Sequence, residues 1–205
     1  MTRPAPAASV LGGVRYGRIE RHGDSRGSFR ELWRATAFGD VPPADARLDV
    51  AVSADVDATE GLHFVQANLS TSDAGVLRGL HLHRRQLDHW VVASGRAFVA
   101  LVDVRPIVTG SGRSAIVETR ILDADDTVTI PSGVAHGFLA LEPLELVYFV
   151  TNAYDGSDEL GFAWDDPTAG VPWPPVPGRA DGRPILSDRD AANPSLADLL
   201  GRLQG

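Results

Sequence analysis

The stretch Gly75-Val76-Leu77-Arg78-Gly79-Leu80-His81-Leu82-His83 decides how the chain folds. Its second half alternates apolar and polar residues, the period of a strand, so His81 and His83 point to one face. Working outward, short apolar segments recur on both sides. Upstream they cover 14–19, 28–34 and 63–69. The quoted strand itself covers 76–83. Downstream they cover 89–92, 97–104, 114–122, 127–131, 138–141 and 144–152. Turn residues separate them: Gly23-Asp24, Arg26-Gly27, Ser94-Gly95, Thr109-Gly110-Ser111-Gly112 and Ser132-Gly133. Many short strands at this spacing predict an all-β sandwich or barrel.

Residues 1–13, rich in Ala, Pro and Gly, predict a flexible tail, and 14–205 a single domain. A short helix is expected over 36–40, before Pro42-Pro43. Residues 165–181, rich in Pro, Trp and Gly, predict an ordered surface loop. A C-terminal helix is expected after Asn193 as cap and Pro194 as first residue, with Leu196, Leu199 and Leu200 as its apolar stripe.

The chain of 205 residues is 43% hydrophobic and 22% charged, the make-up of a globular domain. Its net charge of -8 argues against nucleic acid or an anionic membrane as partner, because both need a basic field. No apolar run approaches the roughly 20 residues of a membrane span. No secretory signal is visible and cysteine is absent, so the expected setting is cytoplasmic. All 19 basic residues are arginines, so any mechanism that needs a lysine is excluded.

His81, His83, Asp88 and Gly95 form one spaced block, and Pro131-Ser132-Gly133-Val134-Ala135-His136 forms another. They resemble the two cupin motifs, with Asp88 for the usual Glu, and with Asp125 and Ala140 where a Gly and an Asn are usual. The resemblance implies a double-stranded β-helix, or jelly-roll barrel. In metal-binding cupins these positions supply three imidazoles and a carboxylate, a set that borderline divalent ions accept. Two possibilities stay open: a metal site of His81, His83, Asp88 and His136, or polar residues of a barrel mouth without metal. His22, His63 and His89 have no evident partners and are expected at the surface or hydrogen-bonded in the core.

A closer resemblance covers residues 19–190. The strand 75–81, the segment Phe64-Val65-Gln66-Ala67-Asn68-Leu69-Ser70, and the blocks 24–29, 130–139 and 184–190 stand in the order of the dTDP-4-dehydrorhamnose 3,5-epimerase family. The resemblance implies an epimerase of a dTDP-linked 4-keto-6-deoxy sugar, inverting C3, C5 or both in deoxysugar biosynthesis, with no cofactor. It implies His81 as base, oriented by Asp190, and Tyr148 as acid. It implies substrate contacts from Arg26, Phe29, Glu31, Gln66, Asn68, Arg78 and Tyr154. It also implies a homodimer, because the family's N-terminal strands reach into the partner subunit.

One departure cuts across this. The family carries a lysine, supporting the enolate oxygen, where this chain has Asp88. Two alternatives therefore stand beside the epimerase: a metal-dependent cupin enzyme (isomerase, dehydratase or oxygenase) on the His81/His83/Asp88/His136 set, and a catalytically silent sugar-nucleotide binder.

Overall fold

A computed structural model describes residues 6–34, 63–176 and 179–204. The helix expected over 36–40 lies outside them. The strands, in chain order, are β1 (Arg15–Arg18), β2 (Arg21–Asp24), β3 (Gly27–Arg30), β4 (Gln66–Ser72), β5 (Leu77–Leu82), β6 (Asp88–Ser94), β7 (Arg96–Asp103), β8 (Ile116–Asp123), β9 (Asp126–Ile130), β10 (Val134–Ala140), β11 (Leu144–Val150) and β12 (Leu160–Gly161). The helices are α1 (Arg105–Val108), α2 (Asp188–Ala191) and α3 (Leu196–Gln204). One five-stranded sheet has the order β1-β9-β6-β11-β4 and the other β12-β5-β10-β7-β8, with β2 and β3 as a separate hairpin. All the ladders between these strands are antiparallel. This is the expected all-β jelly-roll barrel with a short C-terminal helix.

Alternation along the strands builds two cores from one sheet. Val99 and Leu101 of β7 turn inward and pack with Trp90, Val128, Ile130 and Leu146 of the facing sheet. Ala100 and Val102 of the same strand turn outward, where Leu196 and Leu199 of α3 cover them together with Leu80, Leu82 and Phe162. A strand buried on both faces loses its polar alternation, so β7 shows an almost unbroken apolar run. Each of Leu196 and Leu199, buried to 1% exposure or less, contributes about 1.5–3 kcal/mol.

The cap of α3 is Ser195, not Asn193. Ser195 Oγ accepts from Asp198 N at 3.1 Å, and Asp166 Oδ2 accepts from Leu196 N at 2.9 Å. The helix thus starts two residues later than expected. The described part of 165–181 has no regular structure, as expected. Yet Ala169, Trp173 and Val176 pack against the second sheet and its helix, so this segment is partly core.

Where composition predicts the flexible tail, residues 7–11 make defined contacts. Ser9 Oγ donates to Glu118 at 2.7 Å, Arg120 donates to the Ala7 and Ala8 carbonyls, and Leu11 is buried.

Candidate active site

A cavity of about 410 Å³ opens between the two sheets. Gln66, Asn68, Asp88, Trp90 and Tyr148 line it from the first sheet, and Arg78, His81, His136 and Phe138 from the second. Its geometry begins with two glycines. In the β5–β10 ladder His81 faces His136, and the register shifts before Phe138 reaches Arg78. At Gly79, φ is +115° and a Cβ would lie 2.7 Å from the His136 carbonyl oxygen. A Cβ on Gly137 would lie 2.8 Å from the Arg78 carbonyl oxygen. Only residues without side chains let the strands approach this closely. The bulge sets His81 beside His136 at the cavity wall.

His81 Nε2 lies 2.8 Å from Asp190 Oδ1. A carboxylate accepts, so Nε2 carries the hydrogen and Nδ1 keeps the lone pair. Asp190 sits in the first turn of α2, where Ser187 Oγ accepts its N–H at 3.1 Å and so fixes the turn. Burial pushes the Asp190 carboxyl up. The His81 hydrogen bond and charge outweigh this, helped by Gly79 N–H and Ser187, and hold it below the usual carboxylate range. It therefore remains an acceptor.

Tyr148 of β11 pairs with Asn68 on one side and Trp90 on the other, and faces the cavity with Leu146 and Val150 as alternation predicts. Burial raises its phenol above the ordinary value, and the Asp88 charge raises it further, against the opposing pull of Arg78. The hydroxyl thus stays protonated around neutral pH. Nearby, Arg78 Nε donates to Ser72 Oγ at 3.0 Å and Nη2 to the Thr71 carbonyl at 3.1 Å. Gln66 Nε2 donates to Asn68 Oδ1 at 2.9 Å, and Tyr154 N donates to Gln66 Oε1 at 3.0 Å. These bonds hold a polar strip along the cavity.

The four residues of the anticipated metal quartet do not act as one set. His83, Asp88 and His136 bring ligand atoms within 4.8 Å of one another, and His81 is outside that group. The His81 ring is held instead by Asp190 through Nε2. Asp88 is buried, with Gln86 Nε2 at 2.7 Å from Oδ1 and His136 Nε2 at 3.2 Å from Oδ2. Burial pushes its carboxyl up, but His136, His83 and Gln86 bring it below the ordinary value. Two imidazoles and a carboxylate suit a borderline divalent ion, so these three residues fit a metal.

Three expected substrate residues lie elsewhere. Arg26 and Phe29 are exposed around the β2–β3 hairpin, with Arg26 paired to Asp24 at 2.6 Å. Glu31 pairs with Arg34. None of the three lines the cavity of its own chain. Conversely, Glu159 and Arg189 do line it, paired with each other, and Glu159 also takes the Tyr154 hydroxyl. Arg189 stood inside the block 184–190, but nothing in the sequence singled out Glu159. His22 is exposed, while His89 is buried with Nδ1 2.9 Å from Thr129 Oγ1.

The two facing antiparallel sheets with a cavity between them define a class, the cupin-type barrels. A sequence model described as dTDP-4-dehydrorhamnose 3,5-epimerase matches residues 9–198, and the chain belongs to that family. The dTDP-4-dehydrorhamnose 3,5-epimerase of Mycobacterium tuberculosis is 39% identical over 184 residues, 87% of this chain and 80% of that one. A solved M. tuberculosis epimerase superposes with a TM-score of 0.75 at 32% identity, over 98% of this chain and 92% of that chain. A 3′-monoepimerase from Streptomyces bikiniensis, in complex with dTDP-quinovose, gives 0.72 at 26% identity, over 96% and 89%.

Proposed function

We propose that the protein epimerises C3, C5 or both of a dTDP-linked 4-keto-6-deoxy sugar in deoxysugar biosynthesis. One observation carries this: the His81–Asp190 pair, at 2.8 Å, shares a cavity with Tyr148 from the opposing sheet. A hydrogen beside a ketone is a weak acid, so its removal needs a positioned base, and inversion needs a proton donor on the other face. His81 takes the proton on Nδ1 while Asp190 stabilises the imidazolium. Tyr148 delivers its phenolic proton from the opposite wall, and its raised value keeps that proton available. Both proton transfers use side chains of the chain itself.

Arg78 supplies a planar guanidinium for the diphosphate. Gln66, Asn68 and Tyr154 extend the contact toward the nucleotide. Arg26, Phe29 and Glu31 serve the cavity of a second copy in a homodimer, in keeping with an exposed hairpin that lines nothing in its own chain. The expected setting is the cytoplasm, and among the described residues no helix is long and apolar enough to cross a membrane.

The test is incubation of the purified protein with dTDP-4-keto-6-deoxyglucose, with product configuration followed by NMR with and without a chelator. Inversion that survives chelation supports side-chain catalysis. Inversion lost on chelation transfers the chemistry to a metal. Tight dTDP binding with no inversion in either condition leaves a sugar-nucleotide binder.

A further inference from the structure

His83 and His136 are held in the same way. His83 Nδ1 lies 2.7 Å from the Asp158 carbonyl oxygen, and His136 Nδ1 lies 3.1 Å from that of Val134. A carbonyl only accepts, so each Nδ1 carries the hydrogen. Each neutral ring then presents a lone pair at Nε2. His136 Nε2 meets Asp88, whose Oδ2 is 3.2 Å away, and a ring nitrogen of His83 lies within 4.8 Å of both. A carboxylate and an imidazole lone pair that face each other repel unless a cation lies between them.

The spacing also suits a metal ion. Donor atoms about 2.1 Å from a shared first-row ion stand about 3.0–3.5 Å apart. The His136–Asp88 pair already has that separation, and all three residues' ligand atoms lie within 4.8 Å. Outer partners are also in place. Backbone carbonyls orient both rings, and Gln86 Nε2 and Trp90 Nε1 hold Asp88 at 2.7 and 3.4 Å. Such partners fix the tautomer and direction of metal-binding groups.

We propose that His83, Asp88 and His136 bind one borderline divalent first-row ion on the cavity wall, and that His81 is not a ligand. His81 is outside the group whose ligand atoms come within 4.8 Å of one another, so base and ion belong to different residues. The ion stands where the family has its lysine and, when bound, supplies positive charge to the sugar carbonyl. This use of the ion rests on the epimerase reading; its binding does not.

The test is direct titration of untagged, chelator-stripped protein with Co(II), followed by visible absorption and calorimetry, with no sugar present. The expected result is one Co(II) per chain, displaced by Zn(II). Asp88→Asn and His83→Gln should each weaken binding by at least about tenfold with unchanged circular dichroism, and His81→Asn should bind like the wild type. If Asp88→Asn does not fold, His83→Gln decides, since His83 lies at the half-buried edge of the group. The proposal is overturned by no binding, by an adventitious ion that all variants bind equally, or by loss of binding in His81→Asn. Turnover does not enter, so a negative result leaves epimerisation standing, and absent epimerisation leaves the ion site standing.

Discussion

Removing the Tyr148 hydroxyl deletes a proton donor and leaves the ring's packing with Leu146 and Val150. Tyr148→Phe should therefore lower turnover by about 10²–10⁴-fold while the Kd for thymidine diphosphate, measured by calorimetry, stays within about twofold. Equal losses in both would make the residue structural. Asp190→Asn should lower turnover by about a hundredfold or more, because the amide can donate to His81 Nε2 and so select the wrong tautomer. The sign of its acid response is fixed by the lowered carboxyl. The stability Asp190 contributes is present above its unfolded value near 3.9, and is lost as pH falls through the folded one. His81, Tyr148 and Asp190 were legible only because whole motifs matched a family, since His81 and Asp190 lie 109 positions apart. Glu159 was not legible: its role depends on a loop that folds it back onto Arg189, and no local pattern encodes that.

At the scale of elements, β5 and β10 depend on mutual close approach. Gly137→Val must push against the Arg78 carbonyl, 2.8 Å from the new Cβ. It should cost about 1–3 kcal/mol in urea unfolding. Asp125 is informative in another way. The second cupin motif expects glycine there, and the structure shows why: φ is +76°, a left-handed conformation that aspartate tolerates better than most residues. Its carboxylate receives Arg21 at 2.8 Å and Arg30 at 2.7 Å, one from each strand of the β2–β3 hairpin. Asp125→Gly keeps the turn and removes the tie. Hydrogen exchange should then speed up in residues 21–30 and remain unchanged in β5 and β10. Uniform speeding would show global destabilisation instead. The eight strands of five residues or more were readable to within a few residues because each has an apolar face. The missed elements β2, α1, α2 and β12 span four residues or fewer, with too little length to show a period.

Among the described residues, His89 is a buried group with a clear pH signature. His89 packs against Phe64 and Phe149, and burial pushes its pKa down to about 4. Unfolded, it titrates near 6.5. Between these values the unfolded chain holds a proton that the folded one refuses, so stability falls as pH drops through that window, by roughly 3 kcal/mol in all. Urea midpoints at pH 7 and pH 4.5 test this, and His89→Phe should flatten the difference.

The reaction also belongs to the whole cavity, since base and acid come from different sheets. Deuterium uptake in heavy water separates their roles. Wild type should invert the sugar and place deuterium beside the carbonyl. Tyr148→Phe should exchange deuterium with retention, because His81 can return what it removes only to the same face. His81→Asn should exchange none. Exchange by His81→Asn at the wild-type rate would contradict the assignment of the base outright.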